Sequence, residues 1–318
     1  MRVLLTLLLT LTSLLSLEFQ KPVFGYIADA PVTDLIYKNK KLYAATTAGV
    51  VNIFKLSHKK AVKTVSVPKI KDFLGDTIDA KVYSIDLIEN KLLLLSQASS
   101  GYRELFMYSN EKLTKVIEAK DKLSIAKAKF LDKDTVLLAL LSNEIISYNT
   151  KMKKENWRVQ VSMSKFSDFA LNETKSQVVV SDESGEIHLF DTKTAKLLQI
   201  LTAQNLDNVF MVAFKNNLVA TAGKDRRVAV YNLKQKSAYY KKSHFLIYGV
   251  GLSPTAKTLA YSSDEENNIT LFTTDTKKVV GHFTGNKMTI SKILFLNENE
   301  FFVASASKTV NYYRVKGE

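Results

Sequence analysis

Carboxylates and histidines are the side chains of this sequence that could carry hydrolytic or metal-assisted chemistry. The histidines, His58, His188, His244 and His282, are scattered and lack the spacing of metal ligands. Asp34, Asp86, Asp168 and His244 are the candidates for a shared inward-facing centre, which would need several of them to converge on one point, often around a metal. Asp182-Glu183 and Asp264-Glu265-Glu266 fall in predicted polar turns, where solvated side chains are expected. The stretch "SDEENN" at 263–268 has the polarity of a calcium loop but neither its alternating ligands nor its closing Glu. There is no cysteine, which excludes disulfides, thiolate metal sites, cysteine nucleophiles and lipoprotein attachment. No Gly-rich phosphate loop and no Ser-His-Asp grouping can be assembled. The expectation is a protein with no catalytic, cofactor-binding or metal residues, and not an enzyme.

Charge points instead to partners. Lys and Arg number 45 against 31 Asp and Glu, a net charge of +14. Such a balance suggests an acidic protein, a membrane surface or a nucleic acid, while lysines that alternate with acids along the chain and serve solubility are the competing expectation. The first residues narrow the choice. "MRVLLTLLLTLTSLLSLEFQ" has one early Arg2, a short apolar run, then small and polar residues, the pattern of a secretory signal. The run is too short and too weakly flanked for a transmembrane helix. The chain is therefore read as a signal peptide at 1–17 and one mature domain at 18–318, exported to a bacterial periplasm. Nucleic acid is not expected there, nor a stable membrane anchor after cleavage. The expected partner is a protein, and an acidic one; the chain itself is expected to be a monomer.

Those features must be positioned by strands. "DESGEIHLFDTKTAKLLQILTA" (182–203) is a polar turn, an alternating strand ending in an aromatic, a short link and a second strand. Related stretches occupy 48–67, 100–119, 142–161, 224–243, 266–285 and 307–318. Upstream of each lies a pair of apolar strands joined by a polar turn, such as "DLIYKNKKLYAATT" (34–47) and "VAFKNNLVATAG" (212–223). The last apolar residue of the first strand falls at Tyr37, Ile88, Phe130, Leu171, Phe214, Leu252 and Phe295. That recurrence is close to the ~40–45 residues of a four-stranded propeller blade. The marks predict an all-β propeller with seven blades.

The last blade lacks an outer strand, because its strands near 290–296, 300–306 and 308–315 run to the end of the sequence. "KPVFGYIAD" (21–29), ahead of the first full blade at about Val32, resembles the outer strand "KKVVGHFTG" (277–285). The N-terminal strand is expected to complete the seventh blade and close the ring, hiding two sheet edges.

The chain resembles WD40-type propellers most in the blade containing Asp182, Gly185, Ile187 and Leu189, with Phe190-Asp191 where that family has Trp-Asp. Elsewhere the pair is Phe54-Lys55, Tyr148-Asn149, Tyr231-Asn232, Phe272-Thr273 and Tyr313-Arg314, and the Gly-His signature is missing. That absence puts the family's polar network within each blade in doubt. "SYNTKMKKENWRVQV" (147–161) is similar to a quinoprotein-type blade through Trp157, but one Trp cannot form that family's docking girdle. Signal, length, cysteine-free lysine-rich composition and degenerate blades together resemble the accessory propellers encoded with periplasmic nitrate reductase in epsilon-class bacteria, the L proteins of that system. The resemblance spans the whole chain. It implies a periplasmic accessory role in assembly, maturation or activity of the reductase. Two alternatives stand beside it. One is an envelope scaffold similar to outer-membrane-insertion propellers; the other is a propeller hydrolase of the lactonase kind.

In a propeller, the loops joining second and third strands share a face with the loops that link blades. These loops hold Tyr102 and Arg103, then Lys224, Arg226 and Arg227, and Lys308. The first spacing is about ten residues longer than the others. The excess, "PKIKDFLGDT" (68–77), carries Lys69, Lys71, Phe73 and Leu74 to the same face. An aromatic and a Leu among cations has the composition of a protein-binding hot spot with a charged rim. A loose insertion whose Phe tucks under a blade is the competing expectation.

Overall fold

The computed structural model describes residues 18–316; the expected signal peptide at 1–17 lies outside them. Among the described residues, regular structure is strand except for two single turns of 3-10 helix. The strands form a seven-bladed propeller. Blades 1 to 6 occupy 32–66, 82–117, 125–160, 166–201, 209–242 and 250–283, and blade 7 is built on 290–314. Within each blade, strands pair antiparallel in sequence order from the channel outwards. All seven predicted marks fall at or next to the end of an innermost strand, Val32–Lys38 and Val209–Lys215 each running one residue further.

The middle strands are nearly continuous apolar runs because neighbouring blades cover both of their faces. Leu92–Leu95 and Val136–Ala139 are fully or almost fully buried. The core divides into clusters that each bridge two adjacent blades. One joins Val51 and Ile53 of blade 1 to Ile85 and Leu94 of blade 2, and another joins Leu35 and Phe54 of blade 1 to Phe302 and Val310 of blade 7. No blade has a core of its own, so each is stable only against its neighbours. Blade 6 meets blade 7 at Gly249 and Gly251, where an added Cβ would stand 2.6 and 2.8 Å from Ile290 and Ile293 side-chain atoms. Glycine there lets the two innermost strands close together.

The ring closes as the sequence predicts. Phe24–Ile27 pairs antiparallel with Thr309–Arg314 as the outer strand of blade 7. Tyr26 is buried, edge-on to Phe54 of blade 1 and Phe302 of blade 7, and its hydroxyl donates to the Leu56 carbonyl at 2.9 Å. Asp29 and Asn52 exchange two hydrogen bonds of 3.0 and 2.8 Å, tying the same segment to blade 1. One feature was not expected. Phe19–Gln20 adds in parallel to the outer strand of blade 6, opposite His282 and Phe283. The N-terminal segment thus covers two successive blade edges.

Two expectations from composition are corrected. Asp182 is not a solvated turn residue. It is fully buried, accepting hydrogen bonds from Asn143 and Ser162 at 2.9 and 2.6 Å and from the Ser184 amide at 2.9 Å. A polar network does survive in two of the blades without the Gly-His signature. In blade 5, Thr221 donates to Asn205 at 2.7 Å and Asn205 donates to the Tyr231 hydroxyl at 3.0 Å. In blade 7, Asn311 donates to Asn286 at 2.9 Å and to the Tyr313 hydroxyl at 3.3 Å. An Asn in the inter-blade link and a Tyr in the third strand do the bonding.

Candidate functional site

The ten residues singled out on the loop face lie in the predicted loops or at the strand ends beside them, distributed over several blades. Residues 68–78 join blades 1 and 2, and Tyr102 and Arg103 belong to blade 2. Lys224, Arg226 and Arg227 belong to blade 5, three wedges further round, and Lys308 to blade 7.

The insertion is a built hairpin. Ile70–Lys71 pairs with Thr77–Ile78, and the Asp72 side chain caps the turn by accepting from the amides of Leu74 and Asp76, both at 2.9 Å. Gly75 takes the left-handed conformation at φ 90°, which completes the turn. At its tip Phe73 is 101% exposed and Leu74 is 82% exposed. The Phe does not tuck under a blade; the hairpin holds it away from the protein. Lys69 pairs with Asp79 at 3.0 Å, while Lys71 forms no ion pair among the described residues.

The remaining cations are partly committed. Arg103 lies 4.1 Å from the Tyr83 ring centroid and donates to the Gly101 and Tyr102 carbonyls at 2.8 and 3.1 Å. Arg227 lies 4.1 Å from the Tyr240 ring and donates to the Gln204 carbonyl at 3.0 Å. Lys224 pairs with Asp207 at 3.4 Å. Lys71, Arg226 and Lys308 are the cations of this set left without an ion pair or a stacked ring among the described residues.

The inner strands carry charges that the sequence reading only half identified. Asp34 and Asp168 line the channel mouth, and these two and Asp86 are each spent on the next blade. Asp34 accepts from the amides of Leu35 and Ile85 at 2.9 and 3.0 Å and from Lys129 at 2.8 Å. Asp86 accepts from the Phe130 amide at 2.8 Å. Asp168 accepts from Lys127 at 2.5 Å and from the Val212 amide at 3.1 Å. His244 is exposed in the link between blades 5 and 6 and joins none of them. Among the described residues no group of three or more His, Asp and Glu could hold a metal ion.

Lys127 and Lys129 were missed. Both come from Ile125–Phe130, where alternation puts them on one face of an innermost strand. Lysine at period two within an inner strand was the available signal. Burial would raise the Asp34 carboxyl, but the ammonium groups of Lys129, Lys292 and Lys127 outweigh it and hold it down to about 2. Burial pushes Lys127 down to about 8 against the opposing pull of Asp168.

The chain matches no protein-family model and no curated protein. What stands is the fold: a seven-bladed propeller, an architecture that serves in general as a scaffold for protein–protein contacts.

Proposed function

We propose that this chain is a non-catalytic accessory protein that docks an acidic protein partner, with the hairpin tip at Phe73 and Leu74 as its anchor. The observation that carries this is the exposure of those two side chains on a turn capped by Asp72. Two large apolar groups held in water by a defined hairpin gain from burial against a partner, by roughly 2–3 kcal/mol each when fully covered. Lys71, without an ion pair among the described residues, stands on the same hairpin, and cations at a rim speed encounter with an acidic surface more than they tighten the complex. The resemblance to nitrate reductase accessory propellers supplies the partner class: a periplasmic reductase subunit. The signal-like N-terminus supports the periplasmic setting.

The test is capture from a periplasmic extract, with the reductase subunits probed directly. The wild-type chain is expected to retain a subunit, and the double variant Phe73→Ser/Leu74→Ser to lose at least tenfold of it while melting at the same temperature. Equal capture by both proteins would refute the hairpin as anchor. Capture of no reductase subunit would refute the partner.

A further inference from the structure

The channel mouth on the loop face is a cavity of about 230 Å³, lined by the first residues of the innermost strands of every blade except blade 6. Its floor is charged and its walls are partly aromatic. Tyr83 and Phe210 line it, and Phe210 continues into a stack with Tyr248 at 5.4 Å. Three ammonium groups, Lys127, Lys129 and Lys292, act on two carboxylates, Asp34 and Asp168. Lys129 is bound to Asp34 and to the Ile85 carbonyl at 2.6 Å. Lys127 is bound to Asp168 and to the Phe169 carbonyl at 2.7 Å, which leaves one of its three N–H groups uncommitted. Lys292 is half-buried in the cavity lining and has no hydrogen-bond or ion-pair partner among the described residues. Asp86 also acts on Lys129 but has Lys175 at 3.9 Å, and Lys81 and Arg103 lie over the Tyr83 ring at 5.0 and 4.1 Å, so cations outnumber carboxylates around the mouth.

That surplus selects a ligand. Both oxygens of Asp34 and both of Asp168 already accept hydrogen bonds, and the excess of cations around them disfavours an entering cation. A carboxylate with an apolar body matches the unpartnered Lys292, the spare Lys127 N–H and the aromatic walls, and the volume is below that of a drug-sized site. We propose that the channel mouth binds a carboxylate whose oxygens accept hydrogen bonds from Lys292 and Lys127 and whose apolar part lies against Tyr83 and Phe210. The carboxylate is either a free small acid or an acidic side chain presented by a protein. The residues are separate from the hairpin, so either site can fail alone.

Calorimetric titration with benzoate, with its neutral counterpart benzamide and with an acetylated, amidated glutamate tripeptide tests this. Benzoate, the peptide or both should saturate the wild type, and benzamide should not. Lys292→Met should weaken binding at least tenfold with no change in melting temperature. Lys71→Met and Phe73→Ser/Leu74→Ser should bind as the wild type does. Binding of benzoate alone assigns a free acid, and binding of the peptide alone a protein side chain. Benzamide binding as well as benzoate, unchanged binding by Lys292→Met, or no binding of either carboxylate would overturn the proposal.

Discussion

At the scale of single residues, Asp34 shows how the ring is laced from the inside. Its carboxylate receives amides from its own blade and from blade 2 and the ammonium of Lys129 from blade 3. Three consecutive blades are bonded to one side chain. Removing one partner of a buried pair strands the other, at a cost of about 3–5 kcal/mol. Asp34→Asn is expected to lose about that much at pH 7 in urea unfolding. The pH dependence has a definite sign. The folded carboxyl sits at about 2, below its ordinary value of 3.8, so between those values the unfolded chain binds more protons. Stability from Asp34 is fully present above pH 4 and is lost as pH falls towards 2, by about 1.4 kcal/mol per unit of the shift. The gap between wild type and Asp34→Asn should therefore narrow between pH 4 and 2; a constant gap would contradict the assignment. Asp34 was legible as a channel residue, but its partner was not. Lys129 lies far off in sequence, and only the ring brings the two within 2.8 Å.

At the scale of elements, turns decide which glycines matter. Gly185 and Gly75 both have φ of 90°. A Cβ at Gly185 would stand 3.0 Å from the Asp207 carbonyl in the link to blade 5, whereas a Cβ at Gly75 would meet nothing within 4 Å. Left-handed strain alone costs roughly 1–2 kcal/mol for a residue with a Cβ. Gly185→Ala should cost more than that and lower the unfolding midpoint of the whole propeller. Gly75→Ala should leave the midpoint unchanged and loosen only the hairpin, read as faster proteolysis within 70–78. Strands and turns were legible because polar turns punctuate apolar runs at a fixed period. The hairpin was legible as surplus length, but its exposure was not, since composition does not say whether an inserted Phe finds a groove. Asp182 was misread for a similar reason. A polar turn residue reads as solvated until the neighbouring blade supplies Asn143 and Ser162.

At the scale of the whole molecule, the N-terminal segment performs two separable tasks, and truncation distinguishes them. A chain beginning at Pro22 loses Phe19–Gln20, which pairs with the outer edge of blade 6 and also accepts a hydrogen bond from the Lys316 amide at 3.3 Å, and Phe19 is more than half exposed. Its ring stays latched by Phe24–Ile27, so its urea midpoint should barely move. The freed edge at Val279–Phe283 offers unpaired main-chain groups, and self-association should rise with concentration. A chain beginning at Ala30 also loses Tyr26, and with it the ring contacts to Phe54 and Phe302 that join blade 1 to blade 7. Deleting a buried aromatic costs about 3–5 kcal/mol by itself, before the lost strand ladder is counted. Every blade here is held by its neighbours, so opening one interface weakens all of them. The longer truncation should unfold at a much lower urea concentration and over a broader range. A synthetic peptide covering 18–29 should restore the midpoint in trans, since the latch is joined to blade 7 by main-chain pairing and packing alone. An Ala30 chain as stable as the full one would mean that the blade 1–blade 7 interface closes without the strand that spans it.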